Sequence, residues 1–306
     1  MNKKLTLADY LLTLLILFIL VGALGAFFYG VKVGKDKTTD KYERLMAEKT
    51  EMAKDLTAYH QQYLVSFYHT IYLPYRDFQK KWFERIETLD LHSGSIDAKD
   101  VFKELGKLAD EKLVEIKSMS MPVSSPLLQE AHENYLKSLK LFSESADRFR
   151  SRIGSLNGEE LNAALRKDAY FTEAQKFGLT AQSSYYASIV RWNESVQLNL
   201  VGKELSQQDD LSIQEWGQLN FNLKNQYVSL VMESNHYYKG YYPQDLTIRI
   251  DELLLEGQAD RMKITSIRPI IEMLVETDAV RSGDYLKRKQ KFYRNETLPQ
   301  LPFFFE

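Results

Sequence analysis

No cysteine occurs anywhere in the 306 residues, so a disulfide framework, a thiolate nucleophile and a cysteine-ligated metal are all excluded. Glycine (14) and proline (7) are scarce for this length, and the Val/Ile/Thr alternation of half-buried strands is almost missing. Both absences point to an all-α fold. An excess of one charge is lacking as well: 40 Lys and Arg face 42 Asp and Glu, the net charge is −2, and the isoelectric point lies near 6.3. No broad basic field exists to neutralise phosphates, which argues against a nucleic-acid partner. The lysines are interleaved with acids at helical spacings, the pattern of solvated helix faces.

Motifs of known chemistry are missing too. The histidines, His60, His69, His92, His132 and His236, form no H-E-x-x-H pair, so no metal site is expected. The segment from Gly202, GKELSQQ, lacks the upstream glycine and the following Ser/Thr of a phosphate-binding loop, and no G-x-S-x-G occurs. Asp209 and Asp210 stand in a polar connection, where they solvate and cap rather than share a catalytic pocket. No catalytic residue, cofactor site or metal site follows from the residues, and a non-enzymatic protein is expected. The triplets Asn193-Glu-Ser and Asn295-Glu-Thr would matter only where the chain is glycosylated.

One long hydrophobic run is present. Between Asp9 and Lys32 no charged residue occurs, and the 22 residues from Tyr10 to Val31 would form a helix about 33 Å long at about 1.5 Å per residue. A bilayer core is about 30 Å thick, so residues 10–33 are expected to be a transmembrane signal anchor behind a short basic tail, residues 1–9. The rival is a cleaved signal peptide, with Ala23-Leu24-Gly25 as the cleavage segment; against it, the run continues through Phe27, Phe28 and Tyr29. Lys32, Lys35, Lys37, Lys41, Arg44 and Lys49 after the span outnumber Lys3 and Lys4 before it, which taken literally puts the large domain in the cytoplasm. Long domains translocate largely regardless of such charges, and the tail-then-span layout is that of a signal anchor, so the domain is expected outside.

Beyond the anchor the apolar residues step by three and four. Tyr59, Tyr63, Phe67 and Ile71 continue through Tyr75, Phe78, Trp82, Ile86 and Leu89 on one helical face, with Pro74 expected to kink or break the helix near Tyr72. HSGS at 92–95 is a turn, and Val101 to Ile116 form a shorter amphipathic helix. Ser125-Pro126 opens the most regular stripe, Leu128, Ala131, Tyr135, Leu139, Phe142, Ala146, Phe149 and Ile153. Asn157 is the expected cap of a helix running to about Gln197. Residues 34–200 thus read as a stalk and a four-helix bundle in up-and-down order. In residues 201–306, Ser212 and Glu215 make a capping box for a helix to about Ser234, and helices follow near Leu246 to Met262, Ile267 to Val275 and Asp284 to Arg294. This C-terminal helical region is either a second small domain or an extension packed along the bundle.

Aromatic residues are plentiful, with 19 Tyr, 16 Phe and 3 Trp. Tyr59, Tyr63, Phe67 and Tyr75 follow helical spacing and read as core. Tyr237, Tyr238, Tyr241 and Tyr242 lie in a Gly/Pro-punctuated loop, where exposed tyrosines would offer a partner-binding surface, and Phe303, Phe304 and Phe305 raise the same choice at the C-terminal end. The reading that results is a single-pass membrane protein carrying a helical interaction module for a protein or cell-envelope partner. The alternatives are a ligand-sensing bundle that signals through a membrane partner, and an envelope enzyme without a recognisable motif. The oligomeric state is not readable from the residues.

Overall fold

Apolar residues at steps of three and four dictate helices, and every regular element among the described residues is helical. The computed structural model describes residues 58–91, 97–152, 158–197 and 204–305. The anchor run, the stalk before residue 58, the 92–95 turn and the Asn157 cap lie outside the described residues. No helix among the described residues is long and apolar enough to cross a membrane.

The first helix, α1 (Gln61–Phe67), starts after His60, whose Nδ1 accepts from Gln62 N–H at 3.3 Å. It passes through a π-helical turn, Tyr68–Tyr72, into α2 (Leu73–Leu91). The chain is therefore not broken at Pro74. Proline has no N–H and its ring crowds the carbonyl four residues back, and the wider turn, closed by Leu73 N–H on the Tyr68 carbonyl, absorbs that misfit within the helix. Next, α3 (Ala98–Lys117) is capped by Asp97, which accepts from Lys99 N–H at 2.8 Å. Helix α4 (Pro126–Arg152) begins as its Ser-Pro signal predicts, although the Ser125 hydroxyl donates to the Ala58 carbonyl and so joins two helix starts.

The long helix expected up to Gln197 is two helices, α5 (Gly158–Lys167) and α6 (Ala169–Val196). Asp168 interrupts it: its backbone is extended, and its carboxylate caps α6 by accepting from Phe171 N–H at 2.9 Å while also accepting from Ser145 Oγ at 3.1 Å.

Contacts between helices set their directions. Leu127 N–H donates to Tyr59 Oη at 3.3 Å and Phe78 meets Phe142 at 5.1 Å between ring centroids, so α1–α2 runs parallel to α4. His132 Nε2 bonds the Ile116 carbonyl at 2.8 Å and Phe102 stacks on Phe149, so α3 runs antiparallel to α4. The Ser145–Asp168 and Ser138–Ala174 bonds make α6 antiparallel to α4 as well. The result is a bundle of alternating direction. Its interior is unusually aromatic, with Phe67, Tyr72, Tyr75, Phe78, Trp82, Tyr135, Phe142 and Tyr185 all buried.

The C-terminal region comprises α7 (Ile213–Gln218), α8 (Phe221–Ser234), α9 (Pro243–Leu255), α10 (Gln258–Met262), α11 (Ile267–Glu276), α12 (Asp284–Phe292) and a 3₁₀ turn, Pro302–Phe304. The Ser212–Glu215 capping box forms as expected. Two expected helices are again shorter than their periodicity implies. Asn220 ends the first by capping α8, accepting from Leu223 N–H at 2.9 Å, and Gly257 ends α9 with φ +64°, a left-handed backbone that favours glycine. Helix α8 lies on α6, joined by Asn220 Nδ2 to Asn193 Oδ1 at 2.8 Å and by Thr180 Oγ1 to Glu233 at 2.7 Å. Residues 57–306 group as one unit, with the C-terminal helices packed along the bundle.

Candidate functional site

The tyrosine loop turns inward, contrary to the expectation of a free aromatic surface. Tyr238 and Tyr241 are buried, and Tyr237 and Tyr242 are half-buried against the core. Burial of Tyr238 is possible because the polar end of its ring finds partners, whereas the Tyr241 hydroxyl is buried without a hydrogen-bond partner among the described residues. Tyr238 Oη lies 2.9 Å from Tyr75 Oη, which lies 2.8 Å from Ser138 Oγ, and Ser138 donates to the Ala174 carbonyl at 2.6 Å. The Tyr238 ring packs on Phe83 and Phe142. Burial pushes the Tyr75 phenol up to about 12, with its bonds to Ser138 and Tyr238 pulling the other way. Gly178 on α6 makes this close approach feasible, since a Cβ there would fall 2.2 Å from Tyr75 Oη.

The C-terminal aromatics divide. Phe303 and Phe304 are core: Phe303 stacks on Tyr242 at 5.6 Å and packs on Tyr68, Tyr72 and Tyr186, while Phe304 meets Phe221 and Tyr285. Lys289 fastens the segment by donating to the carbonyls of Phe304 and Phe305 at 3.0 and 3.2 Å. Only the Phe305 ring, 55% exposed, presents apolar surface.

Several buried or nearly buried charges escaped the sequence reading. Arg76, 9% exposed, lies with its guanidinium 4.1 Å from the Tyr242 ring centroid, donating to the Gly240 carbonyl at 2.8 Å and to Gln79 Oε1. Lys224 and Asp251 pair at 2.9 Å between α8 and α9. Asp251 also accepts from Trp216 Nε1 at 2.6 Å and from the Tyr293 hydroxyl, so both of its oxygens are engaged. Burial raises the Asp251 carboxyl above its ordinary range, and the Lys224 ammonium opposes the shift. The spacing did hold a signal: Lys224 sits three residues after Phe221 and four before Val228, a charge in the middle of an apolar stripe.

Asp245 does comparable work where two helices begin. It accepts from Tyr242 N–H at the start of α9 and from Tyr285 N–H in the first turn of α12, both at 3.0 Å. Burial raises its pKa against those bonds. Beside it opens a cleft of about 200 Å³ lined by Tyr68, Tyr242, Gln244, Tyr285 and Phe303. A wider groove of about 540 Å³ runs between α2 and α3, where Lys81, Arg85 and Lys107 face Glu84, Glu104 and Glu111. No group of three His, Cys, Asp or Glu side chains among the described residues is placed to hold a metal ion.

Comparison with protein-family models, with curated proteins and with solved structures finds no match to this chain.

Proposed function

We propose that the chain is a single-pass, membrane-anchored helical interaction module that presents its domain outside the cytoplasm and binds a protein or cell-envelope partner without catalysing a reaction. The observation that carries this reading is the uncharged run of 22 residues from Tyr10 to Val31, long enough to span a bilayer core of about 30 Å. The described unit supports it in two ways. Its first described residues lie beside the 118–125 loop, where the Ser125 hydroxyl meets the Ala58 carbonyl and Val123 is 86% exposed, an apolar surface open to a partner. Its buried carboxylates have their oxygens taken up by helix starts and inter-helix bonds, which leaves them poorly disposed to act on a substrate. For the partner, the α2–α3 groove offers alternating charge, suited to specificity more than to affinity.

The test is fractionation. The intact chain should stay with membranes through alkaline carbonate, whereas a chain lacking residues 10–31 should be released and still give a predominantly helical circular dichroism spectrum. Release of the intact chain would refute the anchor.

The ligand-sensing alternative is favoured by one feature, the cleft beside Asp245. At about 30 Å³ for each water it has room for about six waters, or for one small metabolite. Ser282→Trp at its rim should abolish any thermal shift caused by such a ligand while leaving the unliganded midpoint in place.

A further inference from the structure

We infer that the outer face of α12 docks on a membrane surface of anionic lipid headgroups, an inference that rests on the anchored module proposed above and names its envelope partner. On α2, α3 and α4, exposed lysines pair with a glutamate one turn on, as Lys80–Glu84, Lys107–Glu111 and Lys140–Glu144. The stretch from Tyr285 to Asn295 departs from that pattern: it holds Lys287, Arg288, Lys289, Lys291 and Arg294 and no Asp or Glu. The fold then divides these five. Arg288 turns to Glu252 and Asp284, at 3.0 and 2.7 Å, and Lys289 donates to the carbonyls of Phe304 and Phe305. Lys287, Lys291 and Arg294 are exposed and form no ion pair among the described residues.

Lys287 and Lys291 lie one turn apart on α12, and Arg294 follows just beyond its end. Cations in the last turn of a helix complement its dipole, but Lys289 and Lys291 already do that, which leaves Lys287 and Arg294 unexplained. None of the three free cations lines the cleft beside Asp245 or the α2–α3 groove. A bound peptide needs a groove or a sheet edge to hold it, whereas an exposed helix face bearing cations can lie flat against headgroups. Each cation near an anionic leaflet is worth about fivefold in affinity. An anchor in the same membrane raises the effective headgroup concentration, so a few cations are enough.

The full chain has no cysteine, so Gln290→Cys, exposed next to Lys291, carries a single bimane. The labelled chain is reconstituted into phosphatidylcholine vesicles with or without phosphatidylglycerol, both containing a lipid with a nitroxide on its headgroup. Bimane should be quenched in the anionic vesicles, should stay bright in the neutral ones, and should recover in about 1 M salt, where the screening length falls to about 3 Å. The triple variant Lys287→Gln, Lys291→Gln, Arg294→Gln should weaken docking about 100-fold and abolish the quenching. Lys80→Gln, Lys107→Gln, Lys140→Gln changes the net charge equally and should leave it. Quenching that ignores phosphatidylglycerol, or that is lost equally in both triple variants, would overturn the proposal. No quenching, with salt-sensitive capture of polyglutamate, would overturn it too and assign the face to an acidic protein. Carbonate extraction of the same vesicles separates the two readings: a chain that stays but is not quenched keeps the anchor and loses the contact, and a chain that is extracted yet was quenched does the reverse.

Discussion

Replacing Gly178 by alanine should destabilise the protein even though it improves the helix. In a helix interior the change is worth about 1 kcal/mol in favour of alanine. Against that stands the geometry: the new Cβ would lie 2.2 Å from Tyr75 Oη, 3.2 Å from Tyr75 Cζ and 3.0 Å from Tyr238 Cε2. The Tyr75 hydroxyl cannot simply swing aside, because Ser138 and Tyr238 hold it at 2.8 and 2.9 Å in a fully buried site. Overpacking costs about 1–3 kcal/mol, and two displaced hydrogen bonds cost about 1 kcal/mol each. The net loss is therefore about 2–4 kcal/mol, or about 4–16 °C in thermal midpoint for a unit of this size. Tyr75→Phe supplies the decisive comparison. Alone it should destabilise by about 1–2 kcal/mol, since it strips a partner from buried Tyr238; added to Gly178→Ala it should stabilise, since it removes the clashing oxygen. Thermal melts of the four proteins followed by circular dichroism measure the cycle. A higher midpoint for Gly178→Ala alone, or a penalty for Tyr75→Phe in both backgrounds, would refute the packing argument.

Tyr238→Ala should lower the midpoint by about 6–20 °C, as removal of a buried aromatic ring costs about 3–5 kcal/mol; an unchanged midpoint would return Tyr238 to the surface. The pH profile of stability should tilt in opposite directions in two variants. His132 is held below its ordinary pKa by burial, so its contribution is present above about pH 6.5 and is lost as the pH falls; His132→Gln should make acid conditions relatively less harmful. Glu296 is raised by burial above its ordinary value of 4.5, so its contribution is present below that value and is lost as the pH rises through the folded-state pKa; Glu296→Gln should make acid conditions relatively more harmful. Melts of the three proteins between pH 8 and pH 4.5 check both signs, and parallel profiles would contradict them.

Long-range burial was legible where periodicity is clean. Leu128, Ala131, Tyr135, Leu139, Phe142, Ala146 and Phe149 share one helical face, and all of them are core. Helix ends were harder to read, because a single side-chain bond can outweigh a continuing stripe. Asp168 and Asn220 each cap a new helix inside a pattern that otherwise runs on, and Gly257 stops α9 by adopting a positive φ. Pro74 was legible as a disturbance but not in its form, since a π turn accommodates it without ending the helix. The tyrosine loop could not be judged locally. Tyr238 is buried by Tyr75, Phe83 and Phe142, residues some 100 to 160 positions away that only the assembled bundle brings near. Arg76 carried a weak signal, four residues after Tyr72 and three before Gln79 on a face that proves to be interior.

The absence of cysteine makes the most direct test of a tethered external domain simple, since one introduced thiol is the only one to react. Asp147 is exposed on α4, about 30 Å along the helix from its start at Pro126 at about 1.5 Å per residue. Asp147→Cys in the full chain, treated with a membrane-impermeant maleimide, should be labelled fully in intact cells and no further after permeabilisation. Labelling that appears only once the membrane is permeabilised would contradict the account and place the domain in the cytoplasm.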